Sequence, residues 1–191
     1  MIKFLTDKTV SLIRYGRGSI VSLPAPIEMA LIAEGAAGDF PVVSKPIELL
    51  SSSAVAASCV SIAVDEVLAS FTISAGTLGV NSILQIEPCW TFTNTANNKI
   101  LRIKVGGVSV YTSTRTTSER EGPLFVIANR NSLSSQIHPY TTTYFTAGSG
   151  VPATSTINFA VDQSIQITGQ RANAGDSLTL EYYRMSHFIG D

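Results

Sequence analysis

Only two side chains in this sequence, His138 and His187, titrate near neutrality without help, so acid–base catalysis or a histidine metal site would have to be built on them. His138 precedes Pro139 in a turn and His187 falls in the C-terminal tail, so each reads as a surface or interface residue. Ligand spacing of the CxxC or HxxxH kind is missing, and no metal or other cofactor is expected. Gly16-Arg17-Gly18 and Gly148-Ser149-Gly150 lack the Lys-Ser/Thr of a phosphate-binding loop and the strand-to-helix setting of a dinucleotide site, and read as loops. No serine sits in a Gly-x-Ser-x-Gly elbow. Asp162, Asp176 and Glu181 are the carboxylates from which a glycosidase pair would be drawn, but that chemistry needs two facing acids in a groove. No catalytic residue is assigned, and the chain reads as non-enzymatic.

The composition explains what must carry such a chain instead. Charged residues make up 14% of the 191 and the hydrophobic set 45%, against about 25% charged in ordinary soluble domains. Serine and threonine take over the polar surface, in runs such as Ser51-Ser52-Ser53, Thr112 to Thr117 and Thr141-Thr142-Thr143. β-Branched threonine suits a pleated surface, and both hydroxyls compete with helical hydrogen bonding. Net charge is −1 with Lys and Arg scattered, so neither nucleic acid nor an anionic membrane is an expected partner. The stretch Ala54 to Ala69 is broken by Ser58, Ser61, Asp65 and Glu66 and is too polar to span a bilayer. Residues 1–13 carry Lys3, Asp7 and Lys8 and do not read as a signal peptide. Cys59 and Cys89 are accordingly expected to be two reduced thiols, with Cys89 the more buried.

The elements fall into three stretches. Residues 1–45 read as a small strand-turn-helix arm: Ile2, Phe4, Val10 and Leu12 in short strands, Ser19 to Leu23 extended, and Ile27 to Glu34 helical with Pro26 in its first turn and Gly35 closing it. The arm is too small to bury a core alone. Residues 46–66, with Pro46, three serines and a string of alanines, read as a connector, although Val55 to Val64 also has the alternation of a strand. From residue 67 to 191 the pattern is β throughout. Strands are expected over Val67–Ile73, Ile83–Thr93, Ile100–Val105, Val108–Ser113, Leu124–Asn129, Tyr140–Phe145, Thr156–Val161, Ser164–Thr168 and Ser177–Met185. Leu101, Ile103 and Val105 alternate with Arg102 and Lys104, and Leu178, Leu180 and Tyr182 alternate with Thr179 and Glu181, so one face is buried and one wet. Gly106-Gly107 marks a two-residue hairpin, Asn97-Asn98 tolerates positive φ, and Asn173-Ala174-Gly175-Asp176 a tight loop. Short strands at this spacing predict a mainly β fold, a jelly-roll-like antiparallel β-sandwich, with an immunoglobulin-like sandwich as the alternative.

The run Thr72-Ile73-Ser74-Ala75-Gly76-Thr77-Leu78-Gly79-Val80-Asn81-Ser82-Ile83-Leu84, then Trp90, Thr93 to Lys99, Gly106-Gly107 and Ile127 to Asn131, resembles structural proteins of tailed bacteriophages. Gly18, Val21, Leu23, Glu28, Leu31, Ile32, Gly35 and Ala36 resemble a short motif of small phage head-region proteins. The resemblance implies a capsid decoration or head-fibre protein, or a tail-fibre module, in the virion and assembled in the host cytoplasm. Its partners would be copies of itself, as the trimer that the resemblance favours, with a dimer, the commoner symmetry among soluble oligomers, as the alternative, and a major capsid protein or other virion protein. The apolar arm residues Ile20, Val21, Leu23, Leu31 and Ile32 are the expected docking contacts. A receptor- or glycan-binding role, which jelly rolls also serve, would use exposed aromatics, for which Tyr111, Tyr140 and Tyr144 are the candidates.

Overall fold

A computed structural model of the 191-residue chain describes residues 2–4, 8–10, 13–15, 20–21, 27, 37–39, 47–139 and 150–190. It divides into two compact units, Met1–Ser44 and Lys45–Asp191. In the first, β1 (Ile2–Phe4) pairs antiparallel with both β4 (Ile20–Val21) and β5 (Ala37–Asp39), while β2 (Lys8–Val10) and β3 (Ile13–Tyr15) form a separate hairpin. Of the docking residues named above, Ile20 and Val21 are β4, and Leu23, Leu31 and Ile32 lie outside the described residues. The expected helix is described only at Ile27, which is helical.

The second unit contains β6 (Ile47–Ser53), β7 (Ala57–Ser58), β8 (Glu66–Ile73), β9 (Ile83–Phe92), β10 (Lys99–Val105), β11 (Val108–Arg115), β12 (Arg120–Glu121), β13 (Phe125–Asn129), β14 (Gln136–His138), β15 (Ala153–Ser155), β16 (Gln163–Arg171) and β17 (Leu178–Phe188). One sheet has the order β11-β10-β16-β8; the other has β15-β14-β13-β9-β17-β6, with β12 and β7 beside β9 and β17. Eight of these strands, β6, β8, β9, β10, β11, β13, β16 and β17, pair first with last, second with seventh, third with sixth and fourth with fifth, all antiparallel. A long hairpin rolled up on itself has this nesting, and it is the jelly roll. The immunoglobulin-like alternative is thereby set aside.

Alternation builds the core between the sheets. Along β9 every second residue from Leu84 to Phe92 is buried, and β10 buries Lys99, Leu101, Ile103 and Val105 while its other residues are only partly covered. Trp90, Phe125, Leu84, Ile86, Ile103 and Ile165 are among the largest fully buried side chains. The hairpin between β10 and β11 turns on Gly106 (φ 57) and Gly107 (φ 80), the positive pair that a type I′ turn demands. A Cβ at Gly106 would also run into the Gln163 side chain. The Asn173 loop closes through Asp176 N–H donating to Asn173 O (3.2 Å) and Gly175 N–H to Asn173 Oδ1 (2.8 Å). Asn97 and Asn98 are not among the described residues with positive φ; Asn131, between β13 and β14, is.

Three expectations are corrected. Residues 46–66 are not an extended connector. Ile47–Ser53 is the first jelly-roll strand, and Leu50 is an extra residue opposite the Met185/Ser186 step of β17, a bulge that breaks the period-two signal. The stretch after it is clamped rather than loose. Val60 and Ser61 N–H donate to Glu66 Oε2 at 2.8 and 2.7 Å, Ala63 N–H to Arg171 O at 2.8 Å, and Arg102 and Lys104 both pair with Asp65. Thr156–Val161 is not a strand: Ile157 and Phe159 do enter the core alternately, but their N–H groups donate to Gln136 Oε1 (2.9 Å) and Leu133 O (2.9 Å). Tyr182 does not share the core face of Leu178 and Leu180. Register against β9 shifts between Leu180 and Tyr182, and the extra residue turns Tyr182 outward, opposite Cys89. The expected strand Tyr140–Phe145 lies outside the described residues.

Candidate functional site

The two histidines are buried, against expectation, because both belong to inward positions of strands. His138 packs on Phe125, and its Nδ1 lies 3.1 Å from Pro139 O. Among the described residues, His187 is the middle member of an arrangement with the order of a hydrolytic triad: its Nε2 is 2.9 Å from Ser82 Oγ and its Nδ1 is 3.7 Å from Glu48 Oε2. Cross-strand pairing of His187 with Glu48 sets the acid beside the ring. The hydroxyl cannot meet a substrate, since Ser82 is 1% exposed and its Oγ already accepts the Gly79 N–H at 2.8 Å. Its role is to tie the loop before β9 to the last strand.

Burial lowers the proton affinity of both histidines; at His187 the nearby Glu48 offsets part of this. With folded pKa values below those of the unfolded chain, the unfolded state binds more protons in that window. Stability is therefore complete above the ordinary histidine value of 6.5 and declines as pH falls through the folded values. Each tenfold loss of proton affinity is worth about 1.4 kcal/mol. A melting temperature lower at pH 5.5 than at pH 7.5, with the difference reduced in His138→Phe, is the expected outcome; a flat profile would contradict the burial of these rings.

The carboxylates have separate structural tasks. Asp162 accepts the Ala75 N–H at 2.8 Å, Glu181 accepts from Thr91, and Asp176 is buried and accepts the Thr95 hydroxyl at 2.8 Å. Glu121 gathers the hydroxyls of Tyr111 and Ser113 (2.9 Å) and the Arg115 guanidinium. Tyr111 is thus corrected as a ligand-facing residue: it is buried on β11, its ring stacks with Trp90 at 6.5 Å, and burial next to Glu121 raises its pKa. Tyr140 and Tyr144 lie outside the described residues. Lys99, fully buried, donates to Thr95 O (3.1 Å), Thr95 Oγ1 (2.7 Å) and Thr116 O (3.2 Å), an ammonium held by oxygen atoms of the fold. Among the described residues no group of three or more His, Cys, Asp or Glu could hold a metal, and no helix is long and apolar enough to cross a membrane.

The thiols are unpaired, but their order of burial is the reverse of that expected. Cys59 is 3% exposed, with its Sγ 3.5 Å from Gly169 O, and burial pushes its pKa up to about 11. Cys89 lies on the outer face of β9 and is half-buried. A thiol reagent should modify one group, Cys89, in the native protein and two after denaturation without reductant. Equal native reactivity of both would contradict the anchoring of Cys59 under β17.

What the surface offers is apolar. Seven large hydrophobic residues, Ile47, Leu49, Val55, Val60, Ile62, Val64 and Val67, are exposed along the segment from β6 to the start of β8, which are the edge strands of the two sheets. Sequence reading missed this edge, because it took the segment for a linker.

No protein-family model matches the sequence, and no curated protein matches it. Among solved structures, the CBM2 module of the evolved Dit of Lactobacillus casei BL23 phage J-1 is similar at 11% identity, covering 64% of this chain and 70% of that one, with a TM-score of 0.36. A structure of infectious bursal disease virus, Gx strain, is similar at 16% identity, covering 81% of this chain and 45% of that one, with a TM-score of 0.29. The VP2 subviral particle of infectious bursal disease virus is similar at 15% identity, with the same coverage and a TM-score of 0.28. The chain thus spans less than half the length of those viral chains. The jelly roll is established by its own strand pairing, independently of these likenesses.

Proposed function

We propose that this chain is a non-enzymatic structural protein of a virion, a capsid decoration or head-fibre protein of a tailed bacteriophage. It docks on the particle through its N-terminal unit, with Ile20, Val21, Leu23, Leu31 and Ile32 as contacts, and associates with copies of itself through the β-sandwich. The observation that carries this reading is the exposed apolar edge from Ile47 to Val67 on a chain only 14% charged. Free in solution such a surface invites non-specific association, whereas within an assembly it is covered. The phage-like runs Thr72 to Leu84 and Thr93 to Lys99 support the same class. Micrographs of virions carrying a labelled copy should show label at regular positions on the head, and deletion of residues 1–45 should abolish rebinding to particles that lack the protein. Label absent from particles, or normal rebinding of the truncated chain, would overturn the corresponding half of the reading.

A further inference from the structure

A sheet with one face on the core ordinarily turns polar residues to water on the other. The outer face of the sheet containing β9 obeys this through its middle: Arg184 and Glu87 pair there at 2.7 Å, and Glu181 accepts from Thr91. At the end where β6 and β9 begin, polarity gives out. Ile47 lies opposite Phe188, Phe188 opposite Ile83, Ile83 opposite Ala128, and Ala128 opposite Ile137. Directly opposed residues share a face, and Ile83 faces outward because its neighbour Leu84 is in the core. One unbroken apolar row therefore crosses β6, β17, β9, β13 and β14 on the wet side. Ile83 is 37% exposed and Ile47 50%. The next row inward, Leu49, Ser186, Gln85 and Val126, contains no charge.

We propose that this row is the centre of a two-fold interface with a second copy of this chain, sheet face against sheet face. The proposal rests on the self-association included in the reading above and names the surface and symmetry that carry it. Self-complementarity is the argument. A two-fold axis running along β9 between the two copies reverses the strand order, so Ile83 meets Ile83, Ile47 meets Ile137 of the second copy, and the large Phe188 meets the small Ala128. Bulky side chains then fill the places that small ones leave. Charge does not oppose it, because the ionised groups in the middle of the face, Glu87 and Arg184, are paired with each other, and Arg130, exposed two residues beyond Ala128, lies at the rim of the row. Five strands at about 4.8 Å spacing make a row about 19 Å long, and paired sheets stack at about 10 Å. With its flanks the row covers roughly 300 Å² per copy, below the roughly 800 Å² of a standard tight interface, so the association is concentration-dependent and not permanent.

Sedimentation of the full chain from low to high micromolar concentration tests this. The chain is expected to pass from one copy to two, with Ile83→Lys weakening the dissociation constant by about 30-fold, as for a central interface residue, at an unchanged melting temperature. Ala128→Phe should weaken it comparably, and Ala128→Phe combined with Phe188→Ala should recover most of the loss, which a merely structural role for either residue would not produce. A chain that stays monomeric, a Kd indifferent to Ile83→Lys, or a three-copy mass overturns the interface. So does protection of Ile137→Cys from thiol reagent in dilute monomer, which would show that the chain covers its own row. Particle binding is a separate readout, so a virion protein that associates through another face would leave the functional reading standing while this inference fell.

Discussion

Trimmed to residues 67–191, the chain is expected not to fold, whereas trimmed to 45–191 it should give a cooperative, β-dominated unit. The shorter piece loses all of β6, which supplies the partner of the last strand from Tyr183 to Phe188. It also loses β7, buried Cys59 and the core contact of Leu50. Without these, β17, otherwise paired on both sides, presents a long edge with nothing to cover its N–H and C=O groups. Loop-clamping bonds vanish too: Glu66 is removed together with the Val60 and Ser61 N–H groups it holds, and Arg171 loses Val60 O and the Ala63 N–H. A domain is ordinarily stable by only about 5–15 kcal/mol, so losing one of eight nested strands together with its core contacts is expected to unfold it. Far-UV circular dichroism and thermal melts of the two pieces decide the matter: a sharp melt from 67–191 would mean that β6 is dispensable, and no melt from 45–191 would mean that the first unit is needed.

That boundary also marks where sequence reading stopped working. Strands whose alternation is unbroken were legible: β9, β10 and β13 fall within about a residue of expectation, and the Gly106-Gly107 turn has the positive φ pair that its sequence implies. β6 was illegible because Leu49 and Leu50 sit side by side, one outward and one toward the core, and only the bulge opposite Met185/Ser186 makes sense of them. The same physics misplaced Tyr182, where an extra residue in β17 reverses the face of everything that follows it. Local pattern cannot register a bulge, since it depends on which strand lies alongside. The histidines failed for a related reason. His187 is buried by Ser82, 105 positions away, and a residue that looked terminal is an inward position of a central strand. The chemistry was easier to read than the burial: the scarcity of reactive groups follows from composition, while the environment of each follows from pairings that no window contains.

Gln136 is the residue that sequence reading had no means of finding, and Gln136→Leu is expected to be among the most damaging single substitutions. Its side chain is fully buried at the junction of β14, the Asn131 turn and the segment after β15. Its amide nitrogen lies 3.2 Å from Asn129 Oδ1, 3.2 Å from Leu133 O and 3.0 Å from Ile157 O. The amide oxygen accepts the Ile157 N–H at 2.9 Å and the Ser155 hydroxyl at 3.3 Å. One side chain thus does for Ile157 what a neighbouring strand would do, and so delivers Ile157 and Phe159 to the core without β pairing. Leucine fills nearly the same volume but leaves those buried donors and acceptors without partners, each costing about 1–3 kcal/mol. With some relief from water the net loss should be about 3–4 kcal/mol, a fall in melting temperature of about 10 °C for a unit of this size. Local proteolysis supplies the readout that a general loss of stability would not: cleavage between residues 150 and 161 should rise well before global unfolding. Gln136→Glu should also destabilise, because it keeps the accepting oxygens, loses the amide N–H donors and places a carboxylate out of water, and the damage should ease as pH falls and the acid is protonated. A melting temperature within 2 °C of the parent for Gln136→Leu would mean that water can replace the amide, and that the Ile157 segment is held by its apolar side chains alone.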